Sequence, residues 1–178
     1  MKIYIVGSVA SGKSTLARRI SDSTGIPCYH LDEVMYIQDV SAPMGNRKRT
    51  AEERNVLFQN ILTQKDYIIE DTERRYFLQG LEQTDRIVIL EIPLLVRQKR
   101  ILVRWLRQNW GLEKCSYKPN LHMLKSMFCL ARNYDTGADG TKERLAAFPN
   151  KTVLLRKNKD IDRYIKSIGH VNGTAVCG

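Results

Sequence analysis

The sequence predicts an α/β protein, a three-layer fold in which a five-stranded parallel sheet is flanked by helices. Two observations carry this reading. Short apolar runs at 2–6, 28–31, 67–70, 86–91 and 152–155 alternate with helical patterns, the rhythm of repeated βα units. Residues 7–15, Gly7-Ser8-Val9-Ala10-Ser11-Gly12-Lys13-Ser14-Thr15, fit the pattern G-x-x-x-x-G-K-[ST] and sit directly between the first apolar run and the first helix.

Each element follows from its residues. The β-branched run at 2–6 is a buried strand, and Leu16 and Ile20 begin one face of a helix that reaches about Thr24. Gly25-Ile26-Pro27 ends it and 28–31 is a second strand, closed by Asp32-Glu33. Pro43 and Gly45 among polar and basic residues mark 38–49 as a loop. Thr50 and Glu53 form a capping-box pattern for a helix over 51–64. The third strand ends in Glu70-Asp71, and a polar stretch with a short helix leads to the fourth at 86–91. Pro93 then opens a long helix that Gly111 stops. Basic loop 112–119, a helix over 120–134, polar loop 135–140, a short helix over 141–148, the fifth strand and a helix over 160–168 complete one domain, 1–168. The small, polar stretch 169–178 is expected to be a disordered tail.

The glycine motif has a mechanism. Its glycines let the backbone curl so that successive N–H groups point at phosphate oxygens, and the helix N-terminus adds partial positive charge. Residues 7–15 are therefore assigned to nucleotide phosphates, with Lys13 at the β- and γ-phosphates and the Ser14 hydroxyl on Mg²⁺. ATP and Mg²⁺ are the expected ligands. In open parallel sheets ligands bind at the strands' carboxyl ends, where Asp32, Glu70 and Asp71 stand. Asp32 either orients an acceptor hydroxyl or caps the following turn. One of Glu70 and Asp71 is expected near Mg²⁺, the other in a solvated turn. His30 is read as packing.

The formal net charge is +10 over 178 residues, which favours anionic partners. Residues 97–118 hold seven Lys/Arg against Glu113 alone, and Arg47-Lys48-Arg49 form a smaller cluster. Arg97, Arg100, Arg104 and Arg107 fall at i, i+3, i+7 and i+10 and so share one helix face. That stripe is either a wet face or a phosphate contact; Arg100 and Arg104 are the stronger candidates. Trp105 has core spacing, and Trp110 is the more exposed candidate for base stacking. Four cysteines without C-x-x-C spacing read as free thiols. With no apolar stretch long enough to span a bilayer and no leader before the first strand, a cytoplasmic protein without a membrane partner is expected.

The chain resembles the adenylate-kinase-like branch of P-loop proteins, and within it the group named as DNA topology modulation proteins. The residues are 7–15, Tyr29-His30-Leu31-Asp32, Tyr67-Ile68-Ile69-Glu70, Ile89-Leu90-Glu91-Ile92-Pro93, and Arg100 with Arg104 at the spacing of paired lid arginines. The resemblance implies a nucleoside-kinase-like fold, ATP as donor and a mobile helical lid over about 97–135. The chain departs where nucleoside monophosphate kinases carry Asp-Gly-Phe-Pro-Arg: here stands Glu70-Asp71-Thr72-Glu73-Arg74-Arg75, with Arg75 as the matching arginine. It also lacks the Asp-x-Asp of shikimate-type kinases, because Glu33 and Val34 follow Asp32. The function expected is transfer of the γ-phosphoryl of ATP to a small anionic or hydroxylated acceptor, with Lys13, Asp32, Arg100 and Arg104 as catalytic residues. The alternative is an ATP-binding regulator associated with nucleic acid, against which the missing helix-turn-helix counts.

Overall fold

The computed structural model of the chain describes residues 1–39, 41–42, 45–72, 74–113 and 119–172. In chain order the first half comprises β1 (Lys2–Gly7), α1 (Lys13–Thr24), β2 (Cys28–His30), α2 (Leu31–Met35), β3 (Tyr36–Gln38), β4 (Asn46–Lys48), α3 (Ala51–Leu62) and β5 (Tyr67–Asp71). There follow α4 (Leu78–Gln83), β6 (Arg86–Leu90), α5 (Leu94–Asn109), α6 (Leu121–Thr136), α7 (Thr141–Leu145), β7 (Thr152–Leu155) and α8 (Asn158–Asn172). Five strands form a parallel sheet in the order β2-β5-β1-β6-β7. The expected fold class is the observed one.

Strand alternation divides the core. Tyr4 and Val6 of β1 face one side, where Tyr67, Ile69, Ile87 and Ile89 join residues of α2, α3, α4 and α7. Ile3 and Ile5 face the other, where Ile68, Val88 and Leu90 meet Leu16, Ala17 and Ile20 of α1 and Tyr164 and Ile168 of α8. A central parallel strand is covered on both faces, so its sequence is continuously apolar rather than alternating. Ile3, Ile5 and Val6 are fully buried. α5 and α6 pack on each other beyond the carboxyl ends of the strands.

Several expected boundaries move. The second strand ends at His30, and Leu31 already opens α2 because its side chain turns into the core with Val34 and Met35. The stretch expected as a loop contains a separate antiparallel hairpin, with Tyr36 opposite Lys48 and Gln38 opposite Asn46. Its strand-forming signal is hidden because Arg47 and Lys48 are exposed and bring no apolar alternation. The capping box is present: Thr50 Oγ1 accepts from Glu53 N at 3.2 Å and Thr50 N donates to Glu53 Oε2 at 2.9 Å. α3 stops at Leu62. α8 runs through Asn172, four residues into the stretch read as tail; residues 173–178 lie outside the described residues.

Gly80 shows how closely α4 seats on the sheet. A Cβ there would stand 2.7 Å from Tyr4 Cε2 and 3.0 Å from Phe58 Cζ. Overpacking of this kind costs about 1–3 kcal/mol. Gly80→Ala is therefore expected to destabilise the fold by that amount, seen as a lower urea midpoint with an unchanged m-value.

Candidate functional site

The loop after β1 is built from backbone requirements. A Cβ on Gly7 would lie 2.8 Å from Ser11 Oγ and 3.0 Å from the Leu90 carbonyl oxygen, so the loop leaves the sheet only with glycine there. Gly12 has φ +102°, in the left-handed region, and α1 starts immediately after it. Ala10 holds φ +57°, a position at which an L-residue is mildly strained. The N–H groups of the first turn of α1 lack partners within the helix. Together they make the concave, donor-lined turn that an anion requires.

Lys13 does not reach into solvent. It is buried, and its Nζ donates to the Ser8 carbonyl oxygen at 3.0 Å. Burial lowers its pKa, and the charges of Glu70, Asp71 and Asp32 work in the opposite direction. Ser14 Oγ donates to Glu70 Oε1 at 3.0 Å, and His30 Nδ1 meets the same oxygen at 2.8 Å. His30 is thus a site residue that its sequence position gave no reason to single out from packing. It occupies the N-cap position of α2 without capping it, because its ring is committed to Glu70. The hydrogen bond to Glu70 raises the His30 pKa. Burial of Glu70 disfavours its charge, but the His30 hydrogen bond, Lys13 and Ser14 outweigh that and hold the carboxyl below its usual range.

Glu70 and Asp71 part company because successive strand residues point to opposite faces. Glu70 turns to Ser14. Asp71 is buried, accepts from Arg74 N at 2.6 Å and pairs with the Arg74 guanidinium. Burial pushes the Asp71 carboxyl up against the pull of Arg74. Neither is the solvated turn residue expected. The same guanidinium pairs with Asp32, which lies inside α2 and is no N-cap. Arg74 is thus the arginine of this turn that meets the two acids, while Arg75 is exposed. Its spacing from Asp71, i to i+3 in a turn, was the available signal.

The arginine stripe splits along its length. Arg97 is 1 % exposed, the opposite of a wet face. It donates to Ser8 Oγ at 2.5 Å, to Ile92 O at 2.8 Å and to Ala131 O at 3.0 Å, and it pairs with Asp135. Arg100 lies on the loop and donates to Ser11 O at 3.0 Å and Ala10 O at 3.2 Å. Arg104 pairs with Glu113 at 3.0 Å. Arg107 is exposed, as is Trp110, while Trp105 is half-buried and donates to Asn120 O. Lys114 and Lys118 lie outside the described residues.

These groups surround a cleft of about 900 Å³, within the range of small-molecule sites. Lys13, Arg18, Lys99, Arg100, Arg104 and Arg107 line it, and so do Asp32, Glu70 and Asp71.

No family model and no curated protein matches the chain. Solved structures do. Shikimate kinase from Acinetobacter baumannii in complex with shikimate is similar at 15% identity and a TM-score of 0.58, covering 99% of this chain and 95% of that one. An unliganded sugar kinase from Janibacter sp. HTCC2649 is similar at 16% identity and a TM-score of 0.57, covering 99% and 98%. Shikimate kinase from Aquifex aeolicus vf5 is similar at 18% identity and a TM-score of 0.52 over the whole of both chains. The chain shares the fold of these solved kinases. Among its described residues no helix is long and apolar enough to cross a membrane.

The His30–Glu70 pair gives stability a pH signature. The raised His30 pKa means that its contribution is complete below the ordinary value of 6.5 and fades as pH rises through the folded value. The lowered Glu70 pKa means that its contribution is present above the ordinary 4.5 and fades as pH falls through the folded value. His30→Gln is therefore expected to cost roughly 1–2 kcal/mol between these limits. The difference from wild type should shrink above pH 6.5 in urea titrations at stepped pH.

Proposed function

We propose that the protein is an ATP-dependent phosphotransferase whose acceptor presents a hydroxyl group. The observation that carries this reading is the mixed charge of one cleft. Lys13 and Arg100 stand at the glycine loop, and Asp32, Glu70 and Asp71 line the same cleft beside it. The cations suit phosphate oxygens, and Asp32 suits a hydroxyl needing orientation. The similar solved structures named for a sugar and for shikimate support an acceptor of this kind.

The roles follow from position. The loop N–H groups hold the donor's phosphates, and Lys13 and Arg100 offset the charge that spreads over the transferring phosphoryl oxygens. The acceptor oxygen forms its bond to phosphorus as the bridging oxygen of ATP leaves with ADP; the hydroxyl proton is taken up at Asp32. Arg74, paired with both Asp32 and Asp71, fixes where the Asp32 carboxylate stands. Ser14 Oγ and Glu70 Oε1 are hard oxygen donors 3.0 Å apart, a fit for Mg²⁺, with Glu70 acting directly or through water. Mg²⁺, when bound, supplies further neutralisation of phosphate charge. Glu70 suits this better than Asp71, which is closed off by Arg74. Arg104, tied to Glu113, is a lid residue that contributes only when α5 and α6 close over the cleft.

The nucleic-acid reading is the weaker one, since much of the α5 charge gathers on the cleft. The resemblance to the topology modulation group supplies a phenotype-level name and no acceptor.

The test is ADP release from ATP and Mg²⁺ across a panel of polyols, hydroxy acids and nucleosides. Turnover that no member of the panel stimulates, with no measurable MgATP binding, would refute the proposal. Lys13→Ala is expected to lower turnover about 10²–10³-fold. Asp32→Asn should lower turnover about 10²-fold or more while leaving the ATP dissociation constant within about threefold. Arg100→Ala should cost about 10³-fold and Arg107→Ala less than about fivefold, measured side by side.

A further inference from the structure

We infer that Arg97 is a positioning residue that sets the shape of the glycine loop from beneath and makes that shape depend on α6. The inference rests on the reading above only for its consequence in nucleotide binding. The contact set itself is independent of what the cleft binds.

An arginine side chain offers five N–H donors in a rigid fork. Those of Arg97 are spent on three separate parts of the fold. Nε holds Ile92 O, just past β6; Nη1 holds both Ser8 Oγ and Ala131 O; Nη2 pairs with Asp135. Ala131 and Asp135 are one turn apart on α6. Behind the fork lies the Tyr134 ring, 5.6 Å from the guanidinium carbon. A charge removed from water this completely is stable only while its partners hold their places. The guanidinium is planar, so a shift of α6 that carries Ala131 and Asp135 must either break these bonds or carry Nη1 with it.

Nη1 is where the consequence for the loop arises. Ser8 is buried and is gripped twice, its hydroxyl by Arg97 and its carbonyl oxygen by Lys13 Nζ. Moving Nη1 therefore moves the residue that seats Lys13. The route is α6, Arg97, Ser8, Lys13, and every step is a hydrogen bond or ion pair. A filler residue would need only volume. This residue makes charge-assisted bonds to a functional loop and to a helix remote from it in sequence.

Amide hydrogen exchange on the nucleotide-free protein tests the inference without invoking catalysis. Asp135 is partly exposed and Asn keeps an acceptor oxygen, so Asp135→Asn takes the counter-charge from the buried Arg97 while leaving a neutral partner in its place. It loosens Arg97 from α6 without touching the loop. Exchange of loop amides 9–14 is expected to rise about tenfold, the loss of one charge-assisted hydrogen bond, while β1 amides 3–6 stay unchanged. Ser8→Ala should produce a similar rise. The double variant should exchange no faster than Ser8→Ala alone, because the effect of Asp135 reaches the loop only through the Ser8 hydroxyl. Arg97→Lys keeps charge without the fork and should match Asp135→Asn. If Arg97→Lys fails to fold, the other three variants still decide.

Three results would overturn the inference: unchanged loop exchange in Asp135→Asn, equal acceleration in β1 and the loop, or additive effects in the double variant. Calorimetry with MgATP adds a second readout, with a dissociation constant about tenfold higher in Asp135→Asn than in wild type. If wild type binds no MgATP, the proposed function fails while the exchange result stands on its own.

Discussion

Two buried cations converge on one serine. Lys13 takes the backbone carbonyl oxygen of Ser8 and Arg97 takes its hydroxyl, and both cationic side chains are nearly closed to water. Buried charge is costly unless every donor is met, so the loop cannot relax at Ser8 without exposing a debt elsewhere. The rest of the cleft is arranged around this point. The central strand delivers Ser8, α1 delivers Lys13, and α5 delivers Arg97 underneath and Arg100 alongside. The loop is thus preorganised by its own cations before any anion arrives, which reduces the ordering that binding would otherwise require.

The acidic side has the same character. Glu70, Asp71 and Asp32 are each held by a specific partner: His30 and Ser14 for the first, Arg74 for the other two. The compensation is uneven: it holds the Glu70 carboxyl below its usual range, whereas burial pushes the Asp71 carboxyl up against the pull of Arg74. Basic and acidic groups line one cleft in direct contact, with Ser14 of the glycine motif bonded to Glu70.

Much of this was legible in the chain. The five apolar runs, the glycine motif between strand and helix, and the capping box at Thr50 and Glu53 rest on local periodicity and local hydrogen bonds, and they appear where the residues put them. The placement of acids at strand ends also follows from local order. What was not legible depends on contacts between distant residues. Spacing put Arg97 on the same helix face as Arg100, Arg104 and Arg107, and it does share that face; its burial comes from α6, which no pattern within α5 reports. His30 gains its hydrogen bond from Glu70 on the neighbouring strand, and Arg74 meets the acids because of how the turn after β5 closes. The hairpin of β3 and β4 escaped notice because it is polar on its exposed positions and too short for periodicity to register.

The position of the first strand has a consequence for how the chain comes together. β1 is the central strand, yet its neighbours come much later: Lys2 lies beside Tyr67 on one side and Ile3 beside Arg86 on the other. On a ribosome β1 emerges before its partners and waits, apolar and unpaired, until β5 and β6 have been made. Closing such long loops before their contacts can form is what makes parallel sheets slow to assemble. During that interval α1 is the local element able to cover one face of β1, through Leu16, Ala17 and Ile20. The amphipathic helix that follows the glycine loop is thus placed to shield a nascent strand until its partners are made.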